Sequence, residues 1–506
     1  MTYRFMKINI TKYLFAVLLL SLAACTPSLP EKYETINELP SLYPDYIDVT
    51  IPCNIAPLTF EIKNDASEYV TRLSYANSEI ILGGKEVQPS LKDWQELLSV
   101  AAGKEIKVEV FTCENESWKS YKPFSYFVSS DTIDQYISYR LIPPSYVCYE
   151  MLSINQRNIS NYDEDVIYNN MLAASEDKGQ CINCHAYKNY RTDNMQFHMR
   201  QYKGGTLFVH NGEAVKLNMN TDSTLSAGVY PAFNPVYDVV AYSVNKTGQI
   251  FHTKHSNKVE VQDLYSDIIL YNPVANVVTN VVNDTTDLEV FPWWSPDGRM
   301  LYYGSAHFEE TDSTKERMAE EVIRYREIKY DILRRSWNPE TFEFSEADTV
   351  FAATKLGKSA TFPRVSPDGR YLLFALGEYG CFHVWHNDAD LYLQDLQTGY
   401  YWPLTESNSP HAESYHSWSS NSRWILFSSR RDDTNYTRLY IAHISPEGKP
   451  SKAFVLPQKS PNFYPLFDRS YNVPEFMVEP VKFTPHQFAE IARGDETKVK
   501  YSVNGM

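Results

Sequence analysis

An all-β chain assembled from repeated strand–turn–strand units is what this sequence predicts, and three observations predict it. Tyrosine accounts for 38 of the 506 residues and aromatics for 14% of the chain, a bias that suits pleated, half-buried surfaces. Short runs such as Ile106-Lys-Val-Glu-Val110 alternate apolar and polar residues, as a strand with one buried face does. Finally, Phe291-Pro-Trp-Trp-Ser-Pro-Asp-Gly-Arg-Met-Leu-Tyr-Tyr303 and Phe362-Pro-Arg-Val-Ser-Pro-Asp-Gly-Arg-Tyr-Leu-Leu-Phe374 repeat one pattern, and internal repetition is the signature of arrayed folds.

The chain starts with a basic region at Arg4 and Lys7, an apolar run from Tyr13 to Leu20, and Leu22-Ala-Ala-Cys25. A basic start, a short apolar core and small residues before a cleavage point describe an export signal over 1–24, too short for a membrane span. The Leu-Ala-Ala-Cys ending resembles the bacterial lipobox, which implies lipidation of Cys25. Residues 25–44, rich in Pro, Glu and Ser, read as a tether away from the membrane. The expected location is the outer membrane, as a lipoprotein on the periplasmic face, with the cell surface as the other choice. Roughly 480 residues remain, enough for two or three domains. The net charge of −16 is spread along the chain, which argues against nucleic acid or anionic headgroups as the main partner.

Residues 45–130 contain β-type runs at Ile47–Ile51, Leu58–Ile62 and Ile106–Val110, separated by Pro, Asn and Gly clusters. They predict an immunoglobulin-like sandwich. Of the seven cysteines, Cys53, Cys113, Cys148 and Cys381 lie outside any motif. An exported protein can keep disulfides, and Cys53 with Cys113 is the first pairing to test, although sequence cannot fix connectivity.

Degenerate copies of the repeat occur at Tyr230-Pro-Ala-Phe-Asn-Pro235, at Tyr415-His-Ser-Trp-Ser-Ser420 and, more weakly, at Tyr464-Pro-Leu-Phe-Asp468. In the Pro-Asp-Gly turn, proline presets φ, aspartate bonds its own backbone and glycine takes positive φ. Second hairpins follow, as at Asp390–Gly399, and two hairpins per repeat make a four-stranded propeller blade. Over about Tyr230 to Met477 the sequence resembles the TolB-type propeller repeat, with its aromatic-Pro-x-x-Ser-Pro-Asp-Gly turn. Residues 131–160 and 205–480 are thus expected to form a β-propeller of about six blades, and 481–506 a C-terminal tail. Gln135–Ile142, Cys148–Ile154 and Gly205–His210 are expected to supply a first blade. A helix is expected after the capping box Ser313-Thr-Lys-Glu316, with Met318, Val322 and Tyr325 at helical spacing.

Cys181-Ile-Asn-Cys184-His185 has the spacing of covalent haem c attachment. Two thiols three positions apart add to the vinyl groups of one porphyrin, and the following histidine ligates the iron. The five residues resemble those of c-type cytochromes, and their surroundings resemble haem-motif segments in propeller lipoproteins of the Bacteroidetes. The expectation is one covalent haem c on a short insertion, 161–204, with Cys181 and Cys184 as attachment points and His185 as proximal ligand. Met195, His198 and Met199 are the distal candidates; methionine raises the potential relative to histidine. A disulfide between the two cysteines, or a zinc or unmodified site, are the other readings. His383, His386, Asp388 and Asp390 form a weaker metal candidate, with His252 and His255 weaker still. No Gly-x-Ser-x-Gly elbow, His-Glu-x-x-His helix or phosphate-binding loop occurs, so no catalytic residues are assigned. Two functions follow: an electron carrier serving envelope redox partners, or a non-catalytic interaction scaffold in which the cysteines form a structural disulfide.

Overall fold

The computed structural model describes residues 27–143, 151–175, 178–254, 257, 259–311 and 314–505. The export signal, Cys25, Cys148, His255 and Ser313 lie outside the described residues.

Six four-stranded antiparallel sheets follow one another along the chain beyond residue 135. In sheet I, Ser470–Met477 pairs with Tyr136–Ile142, and Ser153–Asn158 and Glu164–Asn169 follow outward. The end of the repeat region therefore supplies the inner strand to a sheet begun over 300 residues earlier, which closes the ring. Sheet II is Gln180–Lys188, Arg191–Gln201, Gly205–His210 and Glu213–Asn218; sheet III is Val229–Phe233, Val240–Phe251, Val259–Asn272 and Val277–Val282. Sheet IV runs Asp287–Trp294, Met300–His307, Asp331–Ser336 and Asp348–Phe351, and touches sheet III through one parallel bridge, Ser266 to Leu288. Sheet V is Ser359–Val365, Tyr371–Gly377, Asp390–Asp395 and Tyr401–Pro403; sheet VI is Glu413–Trp418, Trp424–Ser429, Arg438–His443 and Phe454–Val455. This is a β-propeller, with apolar side chains interleaved between successive sheets.

In sheets IV, V and VI the repeat builds its turn in the same way. In sheet IV, Ser295 Oγ donates to Asp297 Oδ1 at 2.5 Å, Arg299 N donates to the same oxygen at 3.1 Å, and Gly298 N closes on Ser295 O at 2.8 Å. Sheet V reproduces this with Ser366, Asp368, Gly369 and Arg370 at matching distances. Sheet VI does so with Asn421 for the aspartate and Ser422, at φ 62°, for the glycine. An Asn or Asp carboxamide or carboxylate oxygen serves equally as the acceptor in such turns.

Residues 161–204 are not an insertion. They supply the outer strand of sheet I and the two inner strands of sheet II, because their apolar residues alternate at strand period and pack between the sheets. Gly205–His210 accordingly belongs to sheet II rather than to a first blade. The weak copy at Tyr464 is a short helix, Phe463–Leu466; the matching inner-strand copy is Val473-Pro474. The tail is also integrated. Pro485–Arg493 is a helix capped reciprocally by Thr484 and Gln487, and Thr497–Lys498 and Lys500–Tyr501 extend the outer edges of sheets II and III.

The preceding domain joins a seven-stranded sheet and a three-stranded sheet. It also holds a helix, Leu91–Ala101, absent from the sequence expectation, which buries Trp94, Leu97, Leu98 and Ala101 at helical spacing. Cys53 and Cys113 are both free thiols, so the expected pairing is not formed. The domain docks on sheets VI and I. Trp424 Nε1 donates to Asp131 O at 3.2 Å, and Ser420 N donates to Asp134 at 2.6 Å.

The insertion helix spans Arg317–Arg324, starting after Glu316 without a side-chain cap. Its orientation reverses expectation: Met318 and Val322 are exposed, whereas Glu320 and Glu321 are buried. The acids pair with Arg324 at 2.6 Å and Arg317 at 2.9 Å, one turn away in each case.

Candidate functional site at the ring axis and its mouth

Each inner strand contains one residue at positive φ: Val473, Cys184, Tyr230, Phe291, Phe362 and Tyr415, all between 48° and 55°. At the same point in each sheet the register slips against the neighbouring strand. These are β-bulges, which re-aim a side chain; the next residue drops out of the ladder in five of the sheets, whereas in sheet VI His416 pairs with Phe427. The next residue is proline in four sheets (Pro231, Pro292, Pro363 and Pro474) and histidine in the other two (His185 and His416). Proline fits because no ladder donor is needed there.

The six bulged residues meet around one small cavity of about 30 Å³ on the ring axis. Tyr230, Phe291, Phe362 and Tyr415 form a continuous aromatic arc, with successive centroids 4.7, 4.0 and 4.5 Å apart. Cys184 and Val473 complete the circle without an aromatic ring. Arg364 and Glu475 also line it, 3.5 Å apart, and burial lifts the Glu475 carboxyl to about 7 despite the facing guanidinium.

Cys184-His185 therefore occupies the place that an aromatic-Pro pair holds in the repeat. His416 shows what a histidine does there: Nε2 donates to Phe362 O at 2.7 Å and approaches Leu373 O at 3.3 Å, both in the preceding sheet. His185 faces the equivalent carbonyls, Val473 and Ser138, yet neither ring nitrogen has a hydrogen-bond partner among the described residues. Burial depresses both imidazoles to about 3, aided by Arg140 at His185 and Arg364 at His416, so both are neutral. Burial likewise raises the Cys184 thiol.

The remaining sequence candidates diverge from this pair. Cys181 lies on the same extended strand and opens onto a separate recess, not onto the axial cavity. Met195 and Met199 pack with Phe197 in the core between sheets I and II. His198 bonds Thr206 Oγ1 at 3.1 Å, and burial holds it near 4. None of the three lines either cavity. A thioether pair needs both thiols at one porphyrin edge with the imidazole beneath the iron, and the strand as folded does not offer that set. The two cysteines are free thiols rather than a disulfide.

The weaker metal candidates serve as a latch. His386 Nε2 lies 2.7 Å from Glu260 Oε2, and Tyr379 donates to Glu260 Oε1 at 2.7 Å. Thr361 Oγ1 meets His383 Nδ1 at 3.1 Å, and Asp388 accepts from Glu378 N at 2.6 Å. Nearby, Asp263 accepts from Asn245 at 2.7 Å, and burial raises it to about 6. Among the described residues no group of three or more such side chains is set to hold a metal ion. The latch ties the loop after Gly377 to the hairpin of sheet III, whose strands of 12 and 14 residues outrun the five-residue inner strand. From Asn245 on, that hairpin projects roughly 20 Å beyond the sheet.

The recess lies beneath this hairpin and has a volume of about 260 Å³. Its apolar wall includes Ile142, Leu152, Phe251, Val259, Val261, Phe382 and Trp385; its polar lining is Arg140, Arg200, Cys181, Asn183, Thr247 and Gln249. Arg140 is held by neutral acceptors, Ile182 O at 3.2 Å and Asn472 Oδ1 at 3.0 Å, and its buried Nε has no partner among the described residues. The sequence reading missed both arginines. Their only signal was position, Arg140 lying near the end of the strand expected over Gln135–Ile142 and Arg200 following Met199.

No family model matches the chain, and no curated protein matches it. Among solved structures it is similar to TolB from Acinetobacter baumannii, at 13% identity over 76% of this chain and 85% of that one, with a TM-score of 0.42. It is also similar to an oligogalacturonate lyase from Vibrio parahaemolyticus, at 13% identity over 81% and 100% with a TM-score of 0.32. A puromycin-hydrolyzing peptidase of Mycobacterium tuberculosis aligns at 9% identity over 84% and 57%, with a TM-score of 0.33.

Proposed function

We propose that the chain is a non-catalytic binding propeller of the cell envelope, anchored through Cys25, whose working surface is the axial mouth beneath the sheet III hairpin. The observation that carries this reading is the recess: a largely apolar hollow holding two guanidinium groups and, among the described residues, no acidic lining residue, on a chain of net charge −16. Concave, mostly apolar sites with a few polar groups are where ligands and partners are held. A photo-crosslinking residue at Gln249, introduced in the native bacterium, should yield a discrete adduct. The same residue at Val274, exposed on the outer part of sheet III, should not. Equal labelling from both positions would defeat the reading.

The second reading, a covalent haem c serving electron transfer, is favoured by the five-residue motif itself and by Cys181 opening beside Arg140 and Arg200, which would suit propionates. When bound, the haem would supply one-electron redox chemistry. It requires Gln180–Lys188 to give up its place as the inner strand of sheet II.

A further inference from the structure

We propose that the recess receives the carboxylate end of a polypeptide whose last residues are apolar; this rests on the binding-propeller reading and names the chemistry of its partner. Arg140 and Arg200 both line the hollow, and the acceptors that hold Arg140 there are neutral. Guanidinium groups without a counter-charge among the described residues, in a chain so acidic, mark a place where an anion arrives from outside, and a carboxylate matches their fork geometry. Arg140 is pre-positioned by its two neutral acceptors, so little side-chain freedom is lost on binding.

The rest of the lining separates a peptide from a fatty acid. Thr247 and Gln249 alternate with the paired backbone of the hairpin on the wall. Asn183 Oδ1 is committed to Cys184 N at 2.9 Å, which leaves its amide nitrogen as a donor. Three such groups offer bonds that peptide units use and an acyl chain does not. Phe251, Phe382 and Trp385 provide the surface for apolar side chains.

Cys181, on the wall of the recess, is a built-in reporter. The full-length protein is alkylated with iodoacetamide in the presence of acetyl-alanyl-leucyl-phenylalanine, its C-terminal amide, or decanoate, and the modification of Cys181 and Cys53 is followed by peptide mass spectrometry. The free acid should slow alkylation of Cys181 and leave Cys53 unaffected. The amide should need about tenfold more for equal protection, the loss of one charge-assisted contact. Arg200→Gln, at an exposed position, should abolish the difference between acid and amide; Arg140→Gln should do the same if the chain still folds. Equal protection by acid and amide would overturn the proposal, as would decanoate protecting as well as the peptide. Loss of protection with the Gln249 adduct intact would fault the carboxylate assignment alone, whereas protection without an adduct would fault the envelope-partner reading alone.

Discussion

His416 donates through Nε2 to the carbonyl oxygen of Phe362, 2.7 Å away, and so ties sheet VI to the bulged residue of sheet V. His185 stands in the same position between sheets II and I, facing the carbonyl of Val473. The two histidines are alternative solutions, alongside proline, to one backbone problem repeated around the ring.

The pH dependence of His416 follows from its burial. Its pKa falls from 6.5 unfolded to about 3 folded, so the unfolded chain binds the extra proton between those values. Its contribution is fully present above about 6.5 and is lost as pH falls towards 3. His416→Gln removes this linkage. The stability gap between wild type and His416→Gln should shrink by ~1.4 kcal/mol per pH unit on acidification from about pH 6 to about pH 4. Urea unfolding at several pH values measures it; a constant gap would show that His416 is not a buried neutral imidazole.

At His185 the ladder slips between Asn183 and Ala186, so its N–H is not a ladder donor. His185→Pro, which restores the residue found after four of the other bulges, should therefore change stability by no more than ~1 kcal/mol in either direction. Thermal unfolding checks this. A loss of several kcal/mol would mean that the imidazole holds something that proline cannot.

Two glycines in identical turns should respond differently to alanine. Gly298 sits at φ 69°, and a Cβ there would come 2.3 Å from Asn234 Oδ1, the oxygen that accepts from Val236 N and Tyr237 N. Gly369, at φ 74°, would meet only Pro296 Cγ at 3.8 Å. Gly369→Ala should cost the left-handed backbone penalty of ~1–2 kcal/mol. Gly298→Ala should exceed it by ~2 kcal/mol, because Asn234 must give up its bonds. Denaturant midpoints for the pair decide it.

The tail acts as a structural part of the propeller. Phe488 is fully buried against Phe197, 5.4 Å away, and Phe483, 5.0 Å away. Phe488→Ala should destabilise by ~3–5 kcal/mol, and Thr484→Ala, which removes the cap, by ~1 kcal/mol. Equilibrium unfolding of the two variants is the check.

Much of the fold was legible. The Ser-Pro-Asp-Gly copies are visible because each turn residue has a local role, and the structure repeats their hydrogen bonds almost distance for distance. The sheet II copy was hidden for two physical reasons. Its bulge carries Cys184-His185 in place of aromatic-Pro, and its turn is the two-residue Asn189-Tyr190, both at positive φ, instead of Pro-Asp-Gly. The signal that remained was Tyr187, three positions after Cys184 as Trp418 is after Tyr415. Sheet I was legible in part, since Gln135–Ile142 was expected in a first blade and does pair with Ser153–Asn158, but its inner strand comes from the far end of the repeat region. The latch of Glu260 and His386 was not legible, since the two are separated by over 100 residues and meet only through the projecting hairpin. The Arg317–Arg324 helix was expected from its apolar spacing, but that spacing carries no sign that Glu320 and Glu321 are the buried side chains.

The most direct measurement is the peptide mass and reduced visible spectrum of the protein, denatured after maturation in a host that attaches haem c. If Cys184-His185 is the bulge of an inner strand, the product is colourless and its Cys181–Cys184 peptide has the mass of plain polypeptide. A covalent haem that disappears in Cys181→Ala and Cys184→Ala would contradict this, because those thiols would then have left the strand to meet one porphyrin.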